Sequence, residues 1–116
     1  TTTAYSWGAT IGAANANYNQ SGFSKTRDVG QYAANPWGFF DMHGNVWEWT
    51  AGWDQAAYPT GNPVIEPPGP SSGSDRVTRG ASWGAVGPDL RSALRSGSAP
   101  SGRDSNLGFR VGFQKQ

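Results

Sequence analysis

The residues best suited to chemistry lie in one run, Gly38-Phe39-Phe40-Asp41-Met42-His43-Gly44-Asn45-Val46-Trp47-Glu48-Trp49, where two carboxylates flank a His-Gly-Asn turn. Asp41 and Glu48 are hard oxygen donors, and calcium takes about six to eight oxygens drawn from carboxylates and backbone carbonyls. A turn between two acids can present such carbonyls, so the spacing suits a hard cation. The same residues also have a plainer reading, in which Asp41 caps a turn and Glu48 lies against a strand, paired with an arginine such as Arg110. His43 is the only histidine. One imidazole cannot form a multi-histidine metal centre, and a lone general base needs a nucleophile that the sequence does not supply. A hydrogen-bonded turn residue is the simpler expectation for it. Cysteine is absent, which removes disulfides, thiolate nucleophiles and cysteine-zinc sites together. The serines sit in turns without a G-x-S-x-G elbow, and the glycines form no phosphate-cradling G-x-G-x-x-G.

These residues need a scaffold, and composition describes it. The chain has 116 residues, enough for one domain with a modest core. With 17 glycines, 8 prolines, 13% aromatic and only 15% charged residues, it reads as a loop-rich β-containing domain. The formal charge is +1 and the basic residues are scattered, which argues against a nucleic-acid-binding patch or a basic membrane helix. No apolar stretch approaches the roughly 20 residues of a membrane span. The first residues lack a charged-then-apolar leader layout, although a cleaved leader and a secreted or cell-surface location are compatible with the chain. The sequence sets no oligomeric state.

Along the chain, Thr1 to Asn35 is polar and reads as long loops. Alternation around Trp47-Glu48-Trp49 predicts a strand with both tryptophans on one face and Glu48 on the other. The tryptophans are expected to be mainly core, with Trp7 and Trp83 bordering a pocket. Pro59, Pro63, Pro67, Pro68 and Pro70 make the segment from Gln55 to Ser74 an excursion that cannot enter a central strand. Arg76-Val77-Thr78-Arg79 with Ser82-Trp83, then Leu90 to Ser96, then Leu107 to Phe113 are further strand candidates. The expectation is an α+β domain with a small antiparallel sheet, extensive irregular loops and little helix.

Three ordered blocks resemble the formylglycine-generating enzyme or sulfatase-modifying-factor family. The Gly38 to Trp49 run is similar to its G-x-x-D/N-x-x-G-N-x-W-E-W signature, with Asn35-Pro36-Trp37 leading into it. Arg76-Val77-Thr78-Arg79-Gly80-Ala81-Ser82-Trp83 is similar to R-V-x-R-G-G-S-W, and Asn106-Leu107-Gly108-Phe109-Arg110 to N-x-G-F-R. The resemblance runs from about Ser6 to Phe113. It implies a C-type-lectin-like fold and a single domain over residues 1–116 that matches the C-terminal portion of a family domain. It also implies a calcium ion held by the Asp41 and Glu48 side chains with the Gly44 and Val46 carbonyls. A second calcium would use Asn17 and the Tyr18 carbonyl, where Ser21 stands in place of an expected acid.

Active members of the family hold copper with a cysteine pair between the second and third blocks. Here that interval, Gly84 to Ser105, contains only residues without a soft donor, so no copper and no such oxidation are expected. Arg91-Ser92-Ala93-Leu94-Arg95 with the R-G-x-S-W and G-F-R words also resembles relatives that display ligand-binding surfaces on this scaffold. By that resemblance the candidate ligand contacts are Trp83, Gly84, Ala85, Val86, Asp89, Leu94, Ser96, Ser98, Arg103, Asp104 and Ser105. They are mostly small or polar turn residues, the kind a rigid scaffold presents to a partner. Arginines 91, 95, 103 and 110 would either tie loops together or line a groove. The reading is a non-catalytic, calcium-containing domain that binds a protein or small ligand, with a variable-surface display protein as one form of it. The alternative is a fragment or cysteine-less variant of a formylglycine-generating-type oxidoreductase that modifies sulfatases.

Overall fold

Alternating tryptophans give the chain its longest strand, β1 (Trp47–Trp53), in a computed structural model that describes residues 2–55 and 69–112. β2 (Arg76–Arg79), β3 (Ser96–Ser98) and β4 (Leu107–Gly108) complete a four-stranded sheet of order β3-β2-β1-β4. The β1–β2 pair is antiparallel, with Glu48 opposite Arg79 and Trp49 opposite Thr78. Its register slips before Trp53 reaches Arg76, a bulge that bends the long strand. β3 is also antiparallel to β2.

The antiparallel expectation is corrected at β4. This strand runs parallel to β1, pairing Trp47 with Leu107 and Glu48 with Gly108. The sheet is therefore mixed, and a long connection brings the chain back to start β4 beside the beginning of β1. Gly108 permits this approach, since a Cβ there would press on the Val46 side chain at 3.0 Å.

The other strand expectations shorten. β2 stops at Arg79 because Gly80 and Ala81 both turn into the left-handed region, at φ 87° and 61°. Leu90 ends a 3-10 turn, Gly87–Leu90, rather than opening a strand. The third strand forms later than expected, at Ser96–Ser98. Before residue 46 the described chain is loop, with a single bridge between Tyr5 and Gly8. Of the proline-rich excursion, residues 56–68 lie outside the described part of the chain.

A small core sits where these loops meet the sheet: Tyr5, Ala16, Tyr18, Ala81 and Leu90 are buried, with Trp47, Ile11 and Ala85 packed around them. The expectation of mainly buried tryptophans is not met: Trp37 is 74% exposed, Trp7 lies at the surface, and Trp47, Trp49, Trp53 and Trp83 are half-buried. Much of the interior is polar instead, since Asn17, His43, Asn45, Thr78 and Ser82 are buried. Buried polar groups are tolerated only when hydrogen-bonded. The arrangement matches a C-type-lectin-like domain, with one small curled sheet, almost no helix and long loops.

Candidate metal and ligand site

The signature turn is built on backbone that few residues tolerate. Gly44 and Asn45 are both left-handed, at φ 85° and 69°, which glycine adopts freely and asparagine better than most residues. The Gly44 amide donates to the Gly80 carbonyl at 2.7 Å, joining this turn to the left-handed Gly80-Ala81 pair. A Cβ on Gly44 would run into the Asn17 carbonyl. Three sequence-distant segments thus meet at one glycine.

Asn45 ties them together. Its amide donates to the Asn17 carbonyl at 2.8 Å, and its own carbonyl accepts the Trp83 amide at 2.9 Å. Its side-chain oxygen accepts the Arg27 amide at 2.9 Å and the Asn17 side-chain amide at 3.1 Å, while its nitrogen donates to the Arg27 carbonyl. Sequence reasoning missed this role, although a Gly-Asn pair between apolar runs is the usual signal of left-handed turn backbone.

His43 is buried, and both ring nitrogens are engaged. Nδ1 lies 2.6 Å from the Leu90 carbonyl, and Nε2 accepts the Ser6 amide at 3.2 Å. Those partners fix the neutral tautomer with its proton on Nδ1. Loss of solvation lowers the pKa of the ring, and the Leu90 carbonyl opposes this only in part. With no free lone pair the imidazole is a clamp between two loops, not a base.

Asp41 and Glu48 flank this buried turn and border one cavity of about 330 Å³ together with Gly44, Val46, Phe109 and Arg110. Oxygen dominates the donor set, as a hard cation requires. One Asp41 oxygen accepts the Gly30 amide at 2.7 Å. Glu48 is gripped by Arg110, whose Nε and Nη2 each approach a different carboxylate oxygen at 2.5 Å. The same guanidinium donates to the Phe40 and Asp41 carbonyls at 3.1 and 3.3 Å. The pair holds the Arg110 pKa above its ordinary value, chiefly through the hydrogen bonds to Glu48. Asp41 and Glu48 offer the oxygen donors that calcium takes, but Arg110 already holds both Glu48 oxygens and offsets their charge, and among the described residues no group of three or more acidic or histidine side chains gathers to hold an ion.

The Asn17 and Tyr18 cluster differs. The Ser21 hydroxyl lies 2.8 Å from the Asn17 side-chain oxygen and 2.7 Å from the Tyr18 carbonyl. Its single proton serves both acceptors. The Asn17 nitrogen donates to the Lys25 carbonyl at 2.9 Å. No carboxylate joins this cluster among the bonds described, so its oxygens fit a hydrogen-bonded hub better than a calcium site.

The loop candidates after Trp83 are pinned by backbone and open at their side chains. Trp83 is half-buried, with its indole nitrogen buried and lacking a partner among the described residues. The Ala85 carbonyl accepts the Asn19 amide at 3.1 Å, and the Asp89 amide donates to Val86 at 2.9 Å. Val86 is 49% exposed, and Gly84, Ser96, Arg103, Asp104 and Ser105 are exposed, whereas Asp89 and Ser98 are half-buried. Ser96 and Ser98 stand on β3 opposite Thr78 and Arg76. Asp104 accepts the Ser105 hydroxyl at 3.2 Å. Leu94 instead gives its carbonyl to Arg79 and lines a cavity of about 440 Å³ beside Arg91 and Arg95. Arg95 pairs with Asp54 and the Gln55 carbonyl, tying the segment before β3 to the end of β1.

With this geometry in place, comparison with known proteins is direct. The family description "Sulfatase-modifying factor enzyme 1-like domain" matches residues 1–114. The formylglycine-generating enzyme of Streptomyces coelicolor is 36% identical over 97 residues, which cover 81% of this chain and 31% of that protein. Among solved structures, Treponema denticola variable protein 1 superposes with a TM-score of 0.75 at 35% identity, covering 83% of this chain and 34% of its own. PvdO from Pseudomonas aeruginosa gives a TM-score of 0.70 at 32% identity, covering 84% and 38%. The chain thus spans about a third of the length of these relatives. The motifs, the mixed sheet and these likenesses agree: the chain belongs to the formylglycine-generating enzyme, or sulfatase-modifying-factor, family.

Proposed function

We propose that this chain is a non-catalytic, calcium-containing domain of its family that binds a protein or small ligand through the loops from Trp83 to Ser105. The observation that carries this reading is the makeup of that interval. It has no thiol where active relatives hold copper, and Ala85, Asp89 and β3 are held by backbone hydrogen bonds while Val86, Ser96, Arg103, Asp104 and Ser105 are exposed. Anchored loops with accessible side chains suit recognition, because little ordering remains to be paid on binding. The likeness to a Treponema variable protein supports a display role.

Calcium would be held by Asp41 and Glu48 with the Gly44 and Val46 carbonyls, where it would tie the loop before the turn to β1. We assign Asn17 and Tyr18 to the hydrogen-bonded hub, not to a second ion. The test is thermal unfolding in excess calcium and in chelator. A ligand confined to the native state adds about 2.7 kcal/mol at a hundredfold excess over Kd, so the midpoint should rise by several degrees. Asp41→Asn should remove most of that rise. Equal midpoints in calcium and chelator, with no ion found by elemental analysis, would leave the signature as an ion-pair clip.

A second reading draws on relatives named formylglycine-generating enzyme, 36% and 37% identical to this chain. In it the chain is a portion or cysteine-less variant of such an oxidoreductase that modifies sulfatases. Conversion of cysteine to formylglycine in a sulfatase-derived peptide, with copper supplied, separates the two. The proposed reading expects none.

A further inference from the structure

A cavity of about 480 Å³ lies against the same signature turn, includes none of the calcium residues, and takes only Arg91 and Ser92 from the loops after Trp83. Pro36, Trp37 and Met42 form its apolar wall, and Arg79 and Arg91 bring two positive charges. Among the described residues no acidic side chain is in its lining. His43 also faces it, but both ring nitrogens are already bonded, so the imidazole adds no charge.

Neither arginine has an acidic partner among the described residues, where the ion pairs are Arg95 with Asp54 and Arg110 with Glu48. Arg79 commits Nη1 to the Ala93 and Leu94 carbonyls at 3.1 and 3.0 Å. Arg91 commits Nε to the Pro88 carbonyl at 2.8 Å. The other guanidinium nitrogens of both have no acceptor among the described residues. Arginine presents such donors in a planar fork that matches a carboxylate.

The apolar wall is also held ready. Trp37 stays 74% exposed, yet its backbone is fixed: the Asn35 side-chain oxygen accepts the Trp37 and Phe39 amides, each at 3.0 Å. A solvent-facing indole on a fixed backbone, beside two cations without an acidic partner, suits an amphiphilic anion. The volume falls within the range of small-molecule sites.

We propose that this cavity binds a small carboxylic acid with an aromatic or aliphatic body, its carboxylate at Arg79 and Arg91 and its body on Trp37, Pro36 and Met42. This site is separate from the calcium residues and shares Arg91 and Ser92 with the Trp83 to Ser105 interval. Calorimetric titration of the full chain with phenylacetate tests it, with phenylacetamide and inorganic phosphate as controls. Phenylacetate should bind saturably and weaken with salt, while the neutral amide and phosphate bind at least about tenfold less tightly. Arg91→Gln and Trp37→Ala should each lower phenylacetate affinity about tenfold without moving the unfolding midpoint, since both side chains are exposed. Arg91→Lys should fall between wild type and Arg91→Gln. Equal affinity for phenylacetate and its amide, phosphate as tight as phenylacetate, or wild-type affinity in either Arg91→Gln or Trp37→Ala would overturn the proposal.

Discussion

The middle and the ends of the Asp41 to Glu48 signature meet very different surroundings. His43, Gly44 and Asn45 are buried and bonded to Ser6, Asn17, Arg27, Gly80, Trp83 and Leu90, whereas Asp41 and Glu48 are only half-buried and border an open cavity. The difference separates two jobs within eight consecutive residues. Buried polar atoms with fixed partners specify the fold, because each unmade bond would cost the full desolvation penalty. Charges at the rim, such as the Glu48 and Arg110 pair, keep partial access to water and can lose a partner with far smaller consequence for stability. A motif that looks wholly functional in sequence is thus half scaffold.

The largest expected effect comes from striking the scaffold half. Gly44→Ala adds a methyl where the Asn17 carbonyl stands and forces alanine into φ 85°. Left-handed backbone alone costs a non-glycine residue about 1–2 kcal/mol, and the clash must displace the Asn17 segment as well. The expected loss is about 4 kcal/mol or more in denaturant unfolding, enough to unfold a marginal domain. A loss under about 1 kcal/mol would mean that the three-segment junction yields easily, and the comparison between middle and ends would collapse.

His43 provides a smaller and graded test. Its folded pKa is lowered by burial, so the unfolded chain takes up a proton at higher pH than the native one. The His43 contribution is therefore complete above the unfolded value of about 6.5 and is lost as pH falls through that value toward the folded pKa. Protonation of Nε2 also displaces the Ser6 amide. Unfolding free energy should fall between pH 7.5 and 5.5 with a slope of up to about 1.4 kcal/mol per pH unit. In His43→Gln the slope over this window should flatten, even though the variant is less stable throughout. An unchanged slope would assign the dependence to other groups and free His43 for chemistry.

How much of this was legible in sequence depends on range. The three motif blocks carried the family and fold, and alternation placed β1, because those signals are local. The Glu48 and Arg110 pairing was one of two readings and is present in the structure, at the edge of a cavity that Asp41 also lines. The parallel β4 was not legible: its two residues, Leu107 and Gly108, hold too little pattern to set a direction. The left-handed Ala81 also hid the end of β2, since alanine rarely signals such backbone. Trp37 misled because tryptophan is mostly buried on average, and only the Asn35 turn explains why this one stays outside. The pairing of Asn45 with Asn17 and Arg27 joins residues 28 and 18 positions apart, which no local pattern encodes.

The smallest expected effect lies at the rim. A double-mutant cycle on Glu48→Gln and Arg110→Gln should give a coupling of about 1 kcal/mol in chelator, reduced by salt. The side chains are 19% and 37% exposed, and partly exposed ion pairs are screened and pay to fix long side chains. The two-pronged geometry places this pair at the upper end of that range. In excess calcium the coupling should shrink, because the ion would draw on the same two Glu48 oxygens that Arg110 now holds. A coupling of several kcal/mol that calcium leaves untouched would make the rim as structural as the turn beside it. A coupling that calcium lowers would instead show that Glu48 exchanges partners while the buried middle of the signature keeps its shape.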